Sequence, residues 1–244
     1  MKHVCRKVAL VSQDVSGFDF AGHTQKIAEM CDEHGCDTIL YSLFSLHLGA
    51  GAWTTTRDMI FGASKRLKTI ILEAGDLSAG KTRLEVWHRG EEKPQVHHRL
   101  FAKSSDSDEQ KQQLALKFKE RRIGNAALLI CGELNIVKTI RGHKSKVIDE
   151  YGIMKQLEEY GTRVIFGPAH TAFKRFELPI KKKALSANGR YFVSVWCKDK
   201  YLGREPEKPW QVFYDGQDVT EQVQEIKQPI PSREDIRIGV VTLK

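Results

Sequence analysis

The stretch Asn125-Ala-Ala-Leu-Leu-Ile-Cys-Gly-Glu-Leu134 constrains this chain most. Ala126 to Ile130 is an unbroken apolar run, too short for an independent helix and suited to a strand buried on both faces. The run ends at Cys131, and Gly132 follows at once. A glycine there lets the backbone turn sharply and removes side-chain bulk beside the sulfur. A cysteine at such a strand-to-loop corner is where an α/β enzyme holds a nucleophile. It is also where a small buried apolar residue fits, and this stretch alone favours that plainer reading.

The flanking sequence repeats the pattern of buried strand and amphipathic helix. Lys7 to Ser12 and Asp37 to Ser42 read as strands either side of a helix from Thr24 to His34, a βαβ unit. Leu43 to Thr55 reads as a loop. Thr55 and Asp58 have capping-box spacing for a helix reaching Leu67. Strands follow at 68–73 and 83–88, and the Arg89-Gly90 turn predicts a hairpin toward Val96. Asp106 to Arg122 begins acidic and ends basic, matching a helix dipole. After the Cys131 corner, Lys138 to Lys146 reads as a basic loop and Ile148 to Tyr160 as a helix. Arg163 to Pro168 reads as a strand ended by a Gly-Pro breaker. A helix from Pro179 to Asn188 and strands at 191–197, 212–214 and 236–243 complete the order. No repeat or linker interrupts it, so one domain, residues 1–244, is expected.

Composition decides a few further points. Thirty-nine Lys and Arg against 31 Asp and Glu give a net charge of +8. That charge admits nucleic acid or another acidic partner, but no nucleic-acid motif accompanies it, and a solvated basic surface suffices. No apolar run approaches a membrane span, and no secretory leader pattern opens the sequence, so a cytoplasmic protein is expected. Five cysteines without metal-type spacing argue for reduced thiols rather than a disulfide framework or a zinc site. No cofactor motif is present.

The order of these elements resembles the nitrilase, or carbon–nitrogen hydrolase, superfamily over nearly the whole chain. The resemblance rests on Lys7-Val-Ala-Leu-Val, on Arg122 through Leu134, on Val164-Ile-Phe-Gly-Pro-Ala169, on Ala184 through Val193, and on Phe213-Tyr-Asp-Gly216. It implies an α/β fold of four layers, an α-β-β-α sandwich, commonly paired as a homodimer. It also implies hydrolysis or transfer at an amide, nitrile or ureido carbon–nitrogen bond by a Glu-Lys-Cys triad. Only the cysteine, Cys131, is present here. Leu43 stands where the resemblance expects the glutamate base, and His97 stands where it expects the lysine.

Two expectations follow. In the first, the protein is a catalytically degenerate nitrilase-like protein repurposed for an anionic small molecule or an acidic protein. Leu43, His98, Lys138, Arg141 and His170 are then the binding positions. Lys174, Arg175 and Lys181 to Lys183 form a second basic group. In the second, it is an amide hydrolase in which Cys131 is nucleophile, His97 or His98 is a substitute base, and Glu133 or Glu109 orients the histidine. Glu133 has a plainer role as well, accepting backbone N–H groups at the corner.

Overall fold

The computed structural model describes residues 4–13, 20–43, 46–47, 52–76, 81–103, 105–140, 145–170, 177–197, 208–228, 230 and 235–244. In chain order its elements begin with β1 (Lys7–Ser12), α1 (Phe20–Glu33), β2 (Thr38–Tyr41), β3 (Leu46–His47) and α2 (Ala52–Gly62). Then come β4 (Thr69–Asp76), β5 (Lys81–His88), β6 (Gln95–His97) and α3 (Asp108–Leu116). The middle of the chain supplies β7 (Arg122–Ile123), β8 (Ala126–Leu128), β9 (Lys138–Ile140), β10 (Lys146–Ile148) and α4 (Ile153–Glu159). Finally come β11 (Val164–Phe166), α5 (Glu177–Leu185), β12 (Tyr191–Val195), β13 (Trp210–Tyr214), β14 (Gln217–Asp218), β15 (Gln224–Ile226) and β16 (Arg237–Thr242).

Among the described residues these strands form two large open sheets and a separate two-stranded one, β9 with β10. One large sheet runs β15-β16-β1-β2-β4-β5-β6, with β3 also on β4; the other runs β14-β13-β12-β11-β8-β7. The layering follows from the period of two along each strand. Val8, Leu10, Leu40, Ile71, Leu84 and Val86 of the first sheet face Ala126, Leu128, Val164, Phe166 and Val193 of the second in one core. The alternate residues Ala9, Val11, Ile39, Ile70 and Leu72 pack under Ile27 and Met30 of α1 and Ile60 of α2. On the far side, Ala127, Leu129, Ile165 and Phe192 pack under Leu114, Ile153, Leu157 and Leu185 of α3, α4 and α5. The fold is therefore a four-layer α-β-β-α sandwich. Its central strands are buried on both faces, which is why they read as continuous apolar runs.

Several boundaries differ from the sequence reading. Helix α2 starts at Ala52, so Thr55 and Asp58 lie inside it and cannot cap it. The acidic-to-basic segment breaks after α3 into a short 3-10 turn at Phe118–Arg121, and the cap of α3 is Ser107, whose Oγ accepts from the Gln110 N–H at 3.3 Å. The basic loop is an antiparallel hairpin of β9 and β10. It takes Ile148, and α4 begins after Gly152, which has φ +70°. The predicted hairpin after Arg89-Gly90 is present as β5 and β6. All five cysteines are free thiols. Among the described residues no helix is long and apolar enough to cross a membrane.

Candidate active site

The run that ends at Cys131 delivers the sulfur to the end of β8, between the sheets. The corner differs from the sequence reading in one respect. Cys131 itself, not Gly132, takes the left-handed backbone, with φ +47°, a region uncommon outside glycine. Its N–H donates to the Pro168 carbonyl at 2.8 Å, joining the corner to the end of β11. Gly132 serves a different need. A Cβ there would come within 2.0 Å of the Ala102 carbonyl oxygen, so only glycine admits that backbone.

Glu133, expected to orient a catalytic histidine, is fully buried and already engaged. Its Oε1 accepts from the Leu100 N–H and from Arg121 Nη2, both at 2.8 Å, and its Oε2 accepts from the Ile130 N–H at 2.9 Å. Burial pushes its carboxyl up, while Arg121 and the two backbone donors oppose that shift. The carboxylate buckles the corner to the chain after β6, which is the plainer of its two expected roles.

The histidine that acts on the sulfur is neither of the two expected as substitute base. His97 is buried, and its Nε2 has no hydrogen-bond partner among the described residues. Burial, with Arg121 and His98 nearby, holds it down to about 4, so it is neutral at neutral pH. His98 is exposed, and its carbonyl accepts from Arg121 Nη2 at 2.7 Å. The histidine that meets the sulfur is His170, just beyond β11. Its ring and its backbone N–H both act on the Cys131 thiol, favouring its ionised form. Its Nε2 lies 3.3 Å from Glu73 Oε2, and Thr82 Oγ1 donates to Glu73 Oε1 at 2.9 Å.

Strand register explains why Glu73 is there. Ile71 faces the second sheet, so Glu73, two residues on along β4, faces the same way. Glu73 pairs with Leu84, and Leu84 with His97, in one transverse row. Two strand spacings, about 10 Å, therefore separate the Glu73 and His97 backbones. Glu73 is in reach of His170 from the opposite sheet.

The electrostatics follow from these contacts. Burial pushes the Cys131 thiol up, but the His170 ring, its charge, its backbone N–H and Arg99 together hold it below the usual thiol range. Burial disfavours the His170 imidazolium, yet its bonds to Cys131 and Glu73 raise it to about 9. These contacts bias the pair toward thiolate and imidazolium, with the Glu73 carboxylate against the ring. Arg99 Nη1 lies 3.4 Å from His170 Nδ1 at the exposed edge.

The other expected binding positions divide. Leu43 is buried in the inter-sheet core that Cys131 packs against, and its N–H donates to the Ala169 carbonyl at 3.1 Å, so it forms an apolar wall. Lys138 sits on β9, paired with Glu150 at 2.6 Å, and makes no described bond to the Cys131 cluster. Arg141 lies outside the described residues, as do Lys144, Lys174 and Arg175. Lys181 and Lys182 are buried, their Nζ atoms donating to Asn135 Oδ1 at 2.9 Å and to Gln211 Oε1 at 2.8 Å, so they are not a solvated basic group. Sequence reading overlooked Glu73, Thr82 and Arg99. A carboxylate closing the apolar run Thr69 to Leu72 was the available signal for the first. Among the described residues no cluster of three or more His, Cys, Asp or Glu side chains is placed to hold a metal.

No protein-family model matches this sequence, and no curated protein matches it. Solved structures do. A cysteine-to-alanine mutant of an amidase of the nitrilase superfamily from Nesterenkonia AN1 is similar with a TM-score of 0.56 and 14% identity, over 98% of this chain and 90% of that one. A glutamate-to-leucine mutant of the same amidase, with the same values, shows covalent addition of the acetamide moiety of fluoroacetamide at its active-site cysteine. The Caenorhabditis elegans NitFhit protein is similar with a TM-score of 0.56 and 11% identity, over 99% of this chain and 62% of that one. At these identities the likeness establishes the fold, which is of the nitrilase type.

Proposed function

On a nitrilase-type fold with this cysteine corner, we propose that the protein is a cysteine-dependent hydrolase or transferase acting at an acyl carbon–nitrogen bond. Cys131 is the nucleophile, His170 the proton carrier and Glu73 the group that orients the ring. The observation that carries this reading is the position of His170, which acts on the Cys131 thiol and has its Nε2 3.3 Å from Glu73 Oε2. It replaces both the base expected at His97 and the orienting role expected of Glu133.

The chemistry needs no glutamate at position 43. The thiolate attacks the acyl carbon, and the imidazolium of His170 gives its proton to the departing nitrogen as the carbon–nitrogen bond breaks. Neutral His170 then takes a proton from water as the water attacks the thioester. The acid leaves and the thiolate–imidazolium pair is restored. Glu73 holds the ring and favours its charged form, the part a carboxylate plays in a Cys-His arrangement. The Nesterenkonia mutant lends support, since its cysteine takes up an acetamide group with leucine in place of a glutamate.

A second reading keeps the corner as a ligand site without turnover, and the apolar wall at Leu43 favours it. Incubation with a panel of amides, nitriles and carbamoyl compounds separates the two. Catalysis predicts turnover in the wild type, a thioester on Cys131 trapped by acid and seen by mass spectrometry, and loss of both in Cys131→Ala. Equal background rates in the two proteins, with no thioester, would leave the binding reading standing.

A further inference from the structure

Arg99 differs from the other charged groups at the corner. His170 lies against Glu73, and Glu133 is bonded to Arg121. Arg99 is exposed, forms no ion pair with a carboxylate among the described residues, and approaches the cluster with Nη1 3.4 Å from His170 Nδ1. A protonated imidazole has no lone pair to offer a guanidinium, so that approach places two cations side by side.

The geometry then points outward. Glu73 is engaged by His170 and Thr82, and Glu133 by Arg121 and two backbone N–H groups, so neither buried carboxylate is ion-paired with the Arg99 guanidinium. An exposed guanidinium with a free planar fork suits a carboxylate above other anions of similar size.

Resting on the proposed role of Cys131, we propose that Arg99 receives a carboxylate carried by the acyl part of the substrate. The preferred compounds are then amides whose acyl group is itself an acid, rather than neutral amides.

The test uses two alkylating agents of nearly equal size, iodoacetate and iodoacetamide. With either one the Cys131 sulfur bonds the methylene carbon and iodide leaves, so turnover is not required. Rates at Cys131 are read by peptide mass spectrometry in the full chain. The expected result is a wild-type ratio favouring iodoacetate that falls on the order of tenfold in Arg99→Gln and recovers in part in Arg99→Lys. Arg99→Gln is a surface change, and the iodoacetamide rate of the same variant corrects for any effect on the thiolate itself. An unchanged ratio in Arg99→Gln, with iodoacetamide still reacting rapidly, would overturn the role of Arg99 and leave the nucleophile intact. If iodoacetamide reacts in the wild type no faster than with an ordinary thiol, and His170→Asn changes nothing, the reading of Cys131 falls and the proposal falls with it.

Discussion

His170 and His97 are both largely withdrawn from water near the same corner, and they are driven in opposite directions. Burial opposes the charged ring in each case. His170 faces the Cys131 sulfur and the Glu73 carboxylate, which overcome burial and raise it to about 9. His97 faces Arg121 and His98, which add to burial and lower it to about 4. The chemical office of a histidine here is therefore set by the sign of its neighbours rather than by its depth. In sequence His97 held the more suggestive place, beside Leu100-Phe101, while His170 followed a plain Pro-Ala pair.

The largest effect expected from disturbing this contrast is at His170. His170→Asn removes the ring that both stabilises the thiolate and carries the proton. Turnover should fall by about a thousandfold or more. Independently, the pH dependence of iodoacetamide alkylation at Cys131 should move up toward that of an ordinary thiol. A variant that kept the wild-type profile would break the assignment.

On the His97 side the expected effects are on stability. Arg121→Leu leaves Glu133 buried without its cation, and breaking such a pair costs about 3–5 kcal/mol, measurable by urea unfolding. A loss below about 1 kcal/mol would show that the two backbone donors to Glu133 suffice. His97 itself should be felt only in acid. Its folded-state value lies below the ordinary 6.5, so as pH falls the unfolded chain takes the proton first. Its contribution is whole above about 6.5 and is lost as pH falls through about 4, a span worth up to about 3 kcal/mol. His97→Leu should flatten that limb of the stability profile and change alkylation of Cys131 little.

The smallest effect falls on the group that sets His170 apart. Glu73→Gln keeps the shape but removes one of the two negative neighbours. We expect turnover to drop by roughly ten- to a hundredfold and the alkylation profile to shift part of the way seen in His170→Asn. The sign is checked by stability as well. A raised histidine contributes fully below 6.5 and loses that contribution as pH rises through about 9, so Glu73→Gln should weaken the protein mainly on the neutral side of that window. Full retention of both profiles would assign the rise of His170 to Cys131 alone.

Much of the fold was legible because strand and helix patterns are local. The runs at Lys7 to Ser12, Ala126 to Ile130 and Tyr191 to Val195 are apolar on both faces because each lies under a helix layer and over the other sheet. The hairpin of β9 and β10 was not legible. One face carries Lys138 and Lys146, whose charge in sequence resembles a loop, while the paired Thr139 and Val147 turn to the other, inner face. The site was half legible. Cys131 stood out at its corner, but its partners come from β4 and from beyond β11, and no spacing along the chain joins position 73 to position 170.

By itself the sequence determined the alternation of elements, the buried strands and the cysteine at the end of one of them. It did so because hydrophobic period and turn chemistry act over a few residues. Which groups share the sulfur's surroundings was decided by the stacking of two sheets. That stacking turns Glu73 inward, brings it to His170 across the core, and leaves His97 against Arg121. Charge interactions depend on distance through space, and here the residues that set the cysteine's chemistry lie 97 and 39 positions apart in the chain.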